Sequence, residues 1–163
     1  MNKDLLNKLF LELKSDKNSS KNARVLIVDS MNTFLRSFSI IQHLNPNGHH
    51  VGGLTGYLKS VGFAVRSYQP TRVFLVFDGQ GNSTNKKYLY AAYKANRQNL
   101  KVNNWKVFSD KEEESESMAN QMGRLIEYLS QLPVSIIMIP KIEADDVIGY
   151  LVEKFESTQK QII

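Results

Sequence analysis

"RVLIVDSMNTFLRSF", residues 24–38, reads as a short buried strand that stops on an aspartate and turns at once into a helix. Its aliphatic run is rich in β-branched side chains, which suits a strand covered on both faces. Helical spacing then extends from Met31 to Gln42. A strand that hands over directly to a helix is the repeating unit of a parallel sheet, because parallel neighbours need a long crossover between them.

Two further runs have the same character, "RVFLVFD" at 72–78 and "VSIIMI" at 134–139. Helical segments separate them at Leu54 to Tyr68, Lys86 to Arg97 and Glu113 to Gln131. A last helix, Ala144 to Phe155, leads into "KQII", which reads as the opening of a fourth strand. The predicted fold class is therefore α/β, a parallel central sheet flanked by helices on both faces. Ahead of it, Leu5, Leu6, Leu9, Phe10 and Leu13 recur at helical spacing, so residues 3–14 are predicted to be an amphipathic helix. The polar "SDKNSSKN" after it is a linker. Residues 1–22 thus form a helix and linker ahead of a domain at 23–163. The helix is expected to fold back on its own domain, docking to a partner protein being the alternative. Because the chain stops at Ile163 on a strand's first residues, truncation is expected.

A chain of 163 residues suits one domain with a core of its own. It has no cysteine, which excludes disulfides and cysteine-ligated zinc and fits a cytoplasmic location. The strongly apolar stretch from Val134 to Ile139 is far too short to span a bilayer, and "MNKDLLNKLF" lacks a signal peptide's apolar centre, so no membrane is expected. The net charge of +5 makes an anionic partner plausible without saying anything of the fold.

In open α/β sheets, ligands bind beyond the carboxyl ends of the strands. Two strands here end in aspartate, Asp29 and Asp78, and the third leads through Pro140 and Lys141 into Glu143, Asp145 and Asp146. Any one of these acids is explained by a helix cap or by the partial positive charge of a helix start. Together at one edge they would repel one another unless cations neutralised them, and Mg²⁺ or Mn²⁺ takes carboxylate oxygens. Positions three apart share a helix face, so Glu143 and Asp146 point together while Asp145 is turned by about 100° from Asp146. With Glu143 at the cap, Glu143 and Asp145 are favoured as inner ligands.

From Gly79 to Lys106 there is no acid, while Lys86, Lys87, Lys94, Arg97, Lys101 and Lys106 recur. The "KKYLYAAYKANR" core is predicted to be a helix, with Lys86, Tyr93, Lys94 and Arg97 at helical intervals. Cations interleaved with aromatic rings suit a nucleic-acid strand, whose phosphates pair with Lys and Arg while its bases stack. A solvated basic helix with its tyrosines in the core is the alternative. "KEEESES" (111–117) is expected to be a solvated loop and an acid-rich helix start. His43, His49 and His50 are expected at the surface, and Gly52, Gly53 and Gly56 in a glycine-rich turn into a helix, with no Walker pattern after it.

Taken together, "VLIVDSMNTFLRSF", "FLVFDG", "YKANR" and "IEADDVIG" resemble the 5′-nuclease, or flap endonuclease, family, which includes the 5′-3′ exonuclease domain of bacterial DNA polymerase I and the phage ribonuclease H type 5′ nucleases. The resemblance runs over about residues 24–163, with "EADDVIG" its most specific piece. It implies a PIN-like, resolvase-like amino-terminal domain. Asp29, Asp78, Glu143 and Asp145, with Asp146 beside them, would hold the first Mg²⁺. Lys94 and Arg97 would contact the scissile phosphate from a basic helical gateway at about 80–106, next to Tyr93, Lys87 and Lys101. Lys86 stands where relatives usually carry arginine, and so loses a bidentate fork. The aspartate pair of the second metal site and the helix, three-turn, helix element lie beyond these residues, so the chain alone is expected to be weak or inactive.

The implied activity is two-metal hydrolysis of a phosphodiester, on DNA with a 5′ single-stranded arm or on an RNA/DNA hybrid, by a monomer working beside replication proteins in a bacterial or phage-infected cell. Two rivals remain. A metal-free nucleic-acid-binding module leaves the acids unexplained, and a phosphotransferase-type domain leaves the basic helix unexplained.

Overall fold

The computed structural model describes residues 24–81, 104–156 and 161–162. The helix expected at 3–14, the linker after it, and the core of the basic segment with Lys86, Lys87, Tyr93, Lys94, Arg97 and Lys101 lie outside the described residues. In chain order the elements are β1 (Arg24–Asp29), α1 (Ser30–Ile40), α2 (Gly52–Tyr68), β2 (Arg72–Phe77), α3 (Lys111–Leu129), β3 (Ser135–Met138), α4 (Ala144–Glu156) and β4 (Gln161–Ile162). All four strands are parallel, in the order β3-β2-β1-β4. The "KQII" segment does open a strand, which pairs with the start of β1.

Alternate residues of the strands serve two separate cores, as the two-residue period of a strand requires. On one face Val25, Phe74 and Val76 pack against Val147, Leu151 and Phe155 of α4. Leu26, Val73, Leu75 and Phe77 point the other way, onto Phe34, Phe38 and Tyr57 of α1 and α2 and Leu125 and Leu129 of α3. Each fully buried side chain of this size contributes roughly 1.5–3 kcal/mol. The strand order places β1 at the centre, with β2 and β3 on one side and β4 on the other. The chain reverses its direction of travel across the sheet at β1, and the crevice at such a switch point is where open α/β sheets hold ligands. Asp29 closes that strand.

Four expectations are corrected. His50 is buried, at 5% exposure, because its ring is wedged between Phe38 and Phe108 and hydrogen-bonds at both nitrogens. Nε2 donates to the Ile41 carbonyl at 2.7 Å and Nδ1 accepts from the Gln121 amide at 3.0 Å, a tautomer assigned from these partners. α1 ends at Ile40, short of Gln42, because Ile41 turns to extended backbone (φ −90°, ψ 114°), and its carbonyl, an orphan of the helix end, is taken up by this ring. Within "KEEESES", Glu114 is fully buried, its carboxylate receiving the Asn104 amide (2.8 Å) and the Lys111 ammonium (2.6 Å). The glycines of "GGLTGYL" lie inside α2 and let α1 pack close. A Cβ on Gly53 would stand 2.9 Å from the Phe34 ring, and one on Gly56 2.7 Å from the Ser37 Cβ.

Candidate metal and nucleic-acid site

Asp29 and Asp78 close neighbouring strands. In the β1–β2 register Asp29 stands opposite Val76, so Asp78 lies two residues further out, about 7 Å along the strand. Each aspartate uses one oxygen to cap a helix. Asp29 Oδ1 accepts the Asn32 amide of α1 at 3.0 Å, and Thr33 Oγ1 closes onto the Asp29 carbonyl at 2.7 Å. Asp78 Oδ1 accepts the Ala144 amide of α4 at 2.9 Å, although α4 lies beyond a whole further crossover. Both are partly exposed, and among the described residues the second carboxylate oxygen of each has no hydrogen-bond partner.

The β3–α4 connection is fastened to the end of β2 by backbone. Gly79 N donates to the Ile142 carbonyl (3.1 Å), Lys141 N to the Gln80 carbonyl (2.9 Å), and Lys141 itself adopts a left-handed φ of 63°. Gly79 is required by contact, since a Cβ there would come within 1.7 Å of the Ile139 carbonyl oxygen. The "DG" after the strand is a local turn signal, but the loop against which it closes leaves no local signature.

Glu143 immediately precedes α4, where its carbonyl accepts the Asp146 amide (3.2 Å), and its side chain is buried at 2% exposure. Glu143 thus stands at the position before the helix, the condition on which it was favoured together with Asp145. Asp145 is exposed and Asp146 partly so, both in the first turn of α4, where the helix dipole favours negative charge. These groups share the carboxyl edge of the sheet and offer the hard oxygen donors that Mg²⁺ or Mn²⁺ prefers. They are spread along it, and among the described residues no three acidic or histidine side chains gather as a closed coordination group. The donor set fits a hard divalent cation in kind.

One pair beside this edge was not read from the sequence. The Tyr57 hydroxyl, fully buried, shares a 2.8 Å hydrogen bond with Ser30 Oγ, next to Asp29. Burial pushes the Tyr57 phenol up to about 12; the bond to Ser30 opposes the shift and the charge of Asp29 adds to it. Ser30 and Tyr57 meet across 27 positions, a pairing with no local signature.

Residues 24–163 match the family described as the 5′-3′ exonuclease, N-terminal resolvase-like domain. The chain is 25% identical over 147 residues to a 5′-3′ exonuclease of Buchnera aphidicola, covering 90% of this chain and 46% of that protein. It is 30% identical over 139 residues to a 5′-3′ exonuclease of Bacillus subtilis, covering 82% of this chain and 42% of that one. The chain thus spans less than half the length of these curated relatives. Among solved structures, the flap endonuclease D15 of bacteriophage T5, in a pseudo-enzyme-product complex with DNA and metal ions, superposes with a TM-score of 0.60 at 18% identity. The overlap covers 85% of this chain and 47% of the phage protein, a likeness of fold.

Proposed function

The chain belongs to the family of the 5′-3′ exonuclease N-terminal, resolvase-like domain, and from that premise we propose that it forms the amino-terminal part of a divalent-metal-dependent, structure-specific 5′ nuclease. The observation that carries this reading is the Asp78–Ala144 hydrogen bond. It ties the end of β2 to the start of α4, and so joins the segment that carries Asp78 to the one that carries Glu143, Asp145 and Asp146.

In this reading Asp29, Asp78, Glu143 and Asp145, with Asp146 beside them, hold Mg²⁺ or Mn²⁺. A bound divalent cation supplies Lewis acidity and offsets the charge that builds on a phosphodiester. The chain's own residues orient and neutralise. The capping bonds of Asp29 and Asp78 hold one oxygen of each against a helix start, and in this reading the other oxygen takes the cation. Lys94 and Arg97 of "YKANR" pair with the phosphate under attack, and Lys86, Lys87, Tyr93 and Lys101 guide the strand that carries it. The substrate is DNA with a 5′ single-stranded arm, or an RNA primer paired to DNA, processed alongside replication proteins. A cysteine-free chain suits the cytoplasm of a bacterial or phage-infected cell.

The test is cleavage of a 5′-labelled flap by the complete gene product with Mg²⁺ and with EDTA. Cleavage is expected only with Mg²⁺, and Asp145→Asn is expected to slow it by about 100-fold or more, the scale for removing one electrostatic stabiliser of a transition state. Unchanged cleavage by that variant rejects the site. Oligonucleotide binding indifferent to both Mg²⁺ and Asp78→Asn would instead support a metal-free binding module.

A further inference from the structure

Trp105, the sole tryptophan of the chain, is 73% exposed. An indole left so far in water is unusual for a side chain whose burial stabilises a core. The turn that displays it is clamped from both sides. Asn104 is buried, its amide donating to Glu114 Oε1 (2.8 Å) and its Nδ2 to the Phe38 carbonyl (3.1 Å). Its carbonyl accepts the Val107 and Phe108 amides at 3.0 and 3.1 Å, and the Phe108 ring lies stacked on Phe38 with centroids 5.6 Å apart. Neither anchor draws Trp105 inward. Lys106 Nζ stands 5.7 Å from the centroid of the indole, a cation beside the aromatic face.

The position of this turn follows from topology. α3 leads down into the start of β3, so its own start, and the turn before it, lie beyond the carboxyl ends of the strands. Asp29 and Asp78 close strands on that same side. Three of the acids that follow the turn are engaged by α3 itself, while Glu112 and Glu116 are exposed. Asp110 caps the Glu113 amide (2.8 Å), Glu113 accepts the Ser109 amide (3.0 Å), and Glu114 is buried against Lys111.

We propose that Trp105 is a stacking platform for an unpaired base of single-stranded nucleic acid, with Lys106 pairing to the adjoining phosphate. This deepens the nuclease reading and rests on it for the choice of a single-stranded arm as occupant. Indole faces accept any base and a neighbouring cation holds the backbone, so the platform positions a strand without reading its sequence.

Because no other tryptophan contributes, its emission reports the contact directly. The chain is titrated in EDTA with a short oligothymidylate while Trp105 emission and the anisotropy of a dye on the oligonucleotide are both followed. Quenching is expected to saturate together with anisotropy. Trp105→Ala is expected to weaken binding about tenfold and Trp105→Phe to recover most of it. Lys106→Ala is expected to lower the slope of log affinity against log salt by about 0.7. Oligonucleotide binding without any change in emission overturns the platform, as does Trp105→Ala affinity within about twofold of the parent, or no binding at all. Flap cleavage with Mg²⁺ by the complete gene product separates the two readings. Cleavage without quenching overturns the platform alone, whereas quenching without cleavage supports the platform and rejects the nuclease.

Discussion

Asp78 and Ala144 stand 66 residues apart in the chain, yet the Asp78 carboxylate accepts the Ala144 amide at 2.9 Å and so serves as the cap of α4. A residue at the end of one strand thereby supplies what the helix after the next strand lacks, an acceptor for an orphan amide. The same carboxylate is a candidate metal ligand, and its two roles can be separated. Asp78→Ala is expected to cost about 1 kcal/mol in urea unfolding, as a lost cap does. Asp78→Asn retains an acceptor and should recover most of that, while losing the stabilisation that Mg²⁺ is expected to give the parent. If Mg²⁺ raises the urea midpoint of Asp78→Asn as much as that of the parent, the ligand role fails.

Gly79→Ala is expected to destabilise by about 2 to 3 kcal/mol. Its Cβ would meet the Ile139 carbonyl oxygen at 1.7 Å and the carbonyl carbon at 2.5 Å, both backbone atoms that move only with the loop carrying Glu143. The measurement is chemical denaturation, and a parent-like midpoint contradicts the close approach.

Tyr57→Phe tests the buried hydroxyl pair. Below the ordinary tyrosine range the variant should be less stable by about 1 kcal/mol, the worth of the bond to Ser30. As pH rises from about 10 to about 12, the unfolded chain gives up its Tyr57 proton while the folded chain keeps it. The folded state binds more protons in that window, so the parent loses stability by about 1.4 kcal/mol per pH unit and the variant escapes this loss. Unfolding curves of the two proteins should therefore cross near the middle of the window. Curves that stay parallel to pH 12 would show that the phenol titrates normally.

Glu114→Ala removes the acceptor of the Asn104 amide and the partner of Lys111 inside a fully buried site. A loss of about 1 to 3 kcal/mol is expected, the scale for stranding a buried donor, with Glu114→Gln retaining part of it. Thermal or urea unfolding measures both. A neutral Glu114→Ala would place the carboxylate in solvent, as its sequence context suggests.

The strands, their parallel pairing and the aspartates that close them were legible because each depends on local pattern. Aliphatic runs at 24–29 and 72–77 make buried strands wherever they occur, and a strand followed by a helix forces a parallel crossover. "KIEADD" likewise announced a helix start carrying acids. His50 and Glu114 were misplaced at the surface because polarity is a local property and burial is not. Their partners, Ile41, Gln121 and Asn104, arrive from other elements and satisfy each polar atom only once the helices are packed. Asp78 and Glu143 were named from sequence as neighbours, but only tertiary structure supplied the means. Gly79 lets the two loops touch, and the backbone bonds across that contact hold the acids at one edge. Periodicity encodes which face of an element is apolar, whereas the meeting of two distant loops is set by steric contact, which a linear pattern does not record.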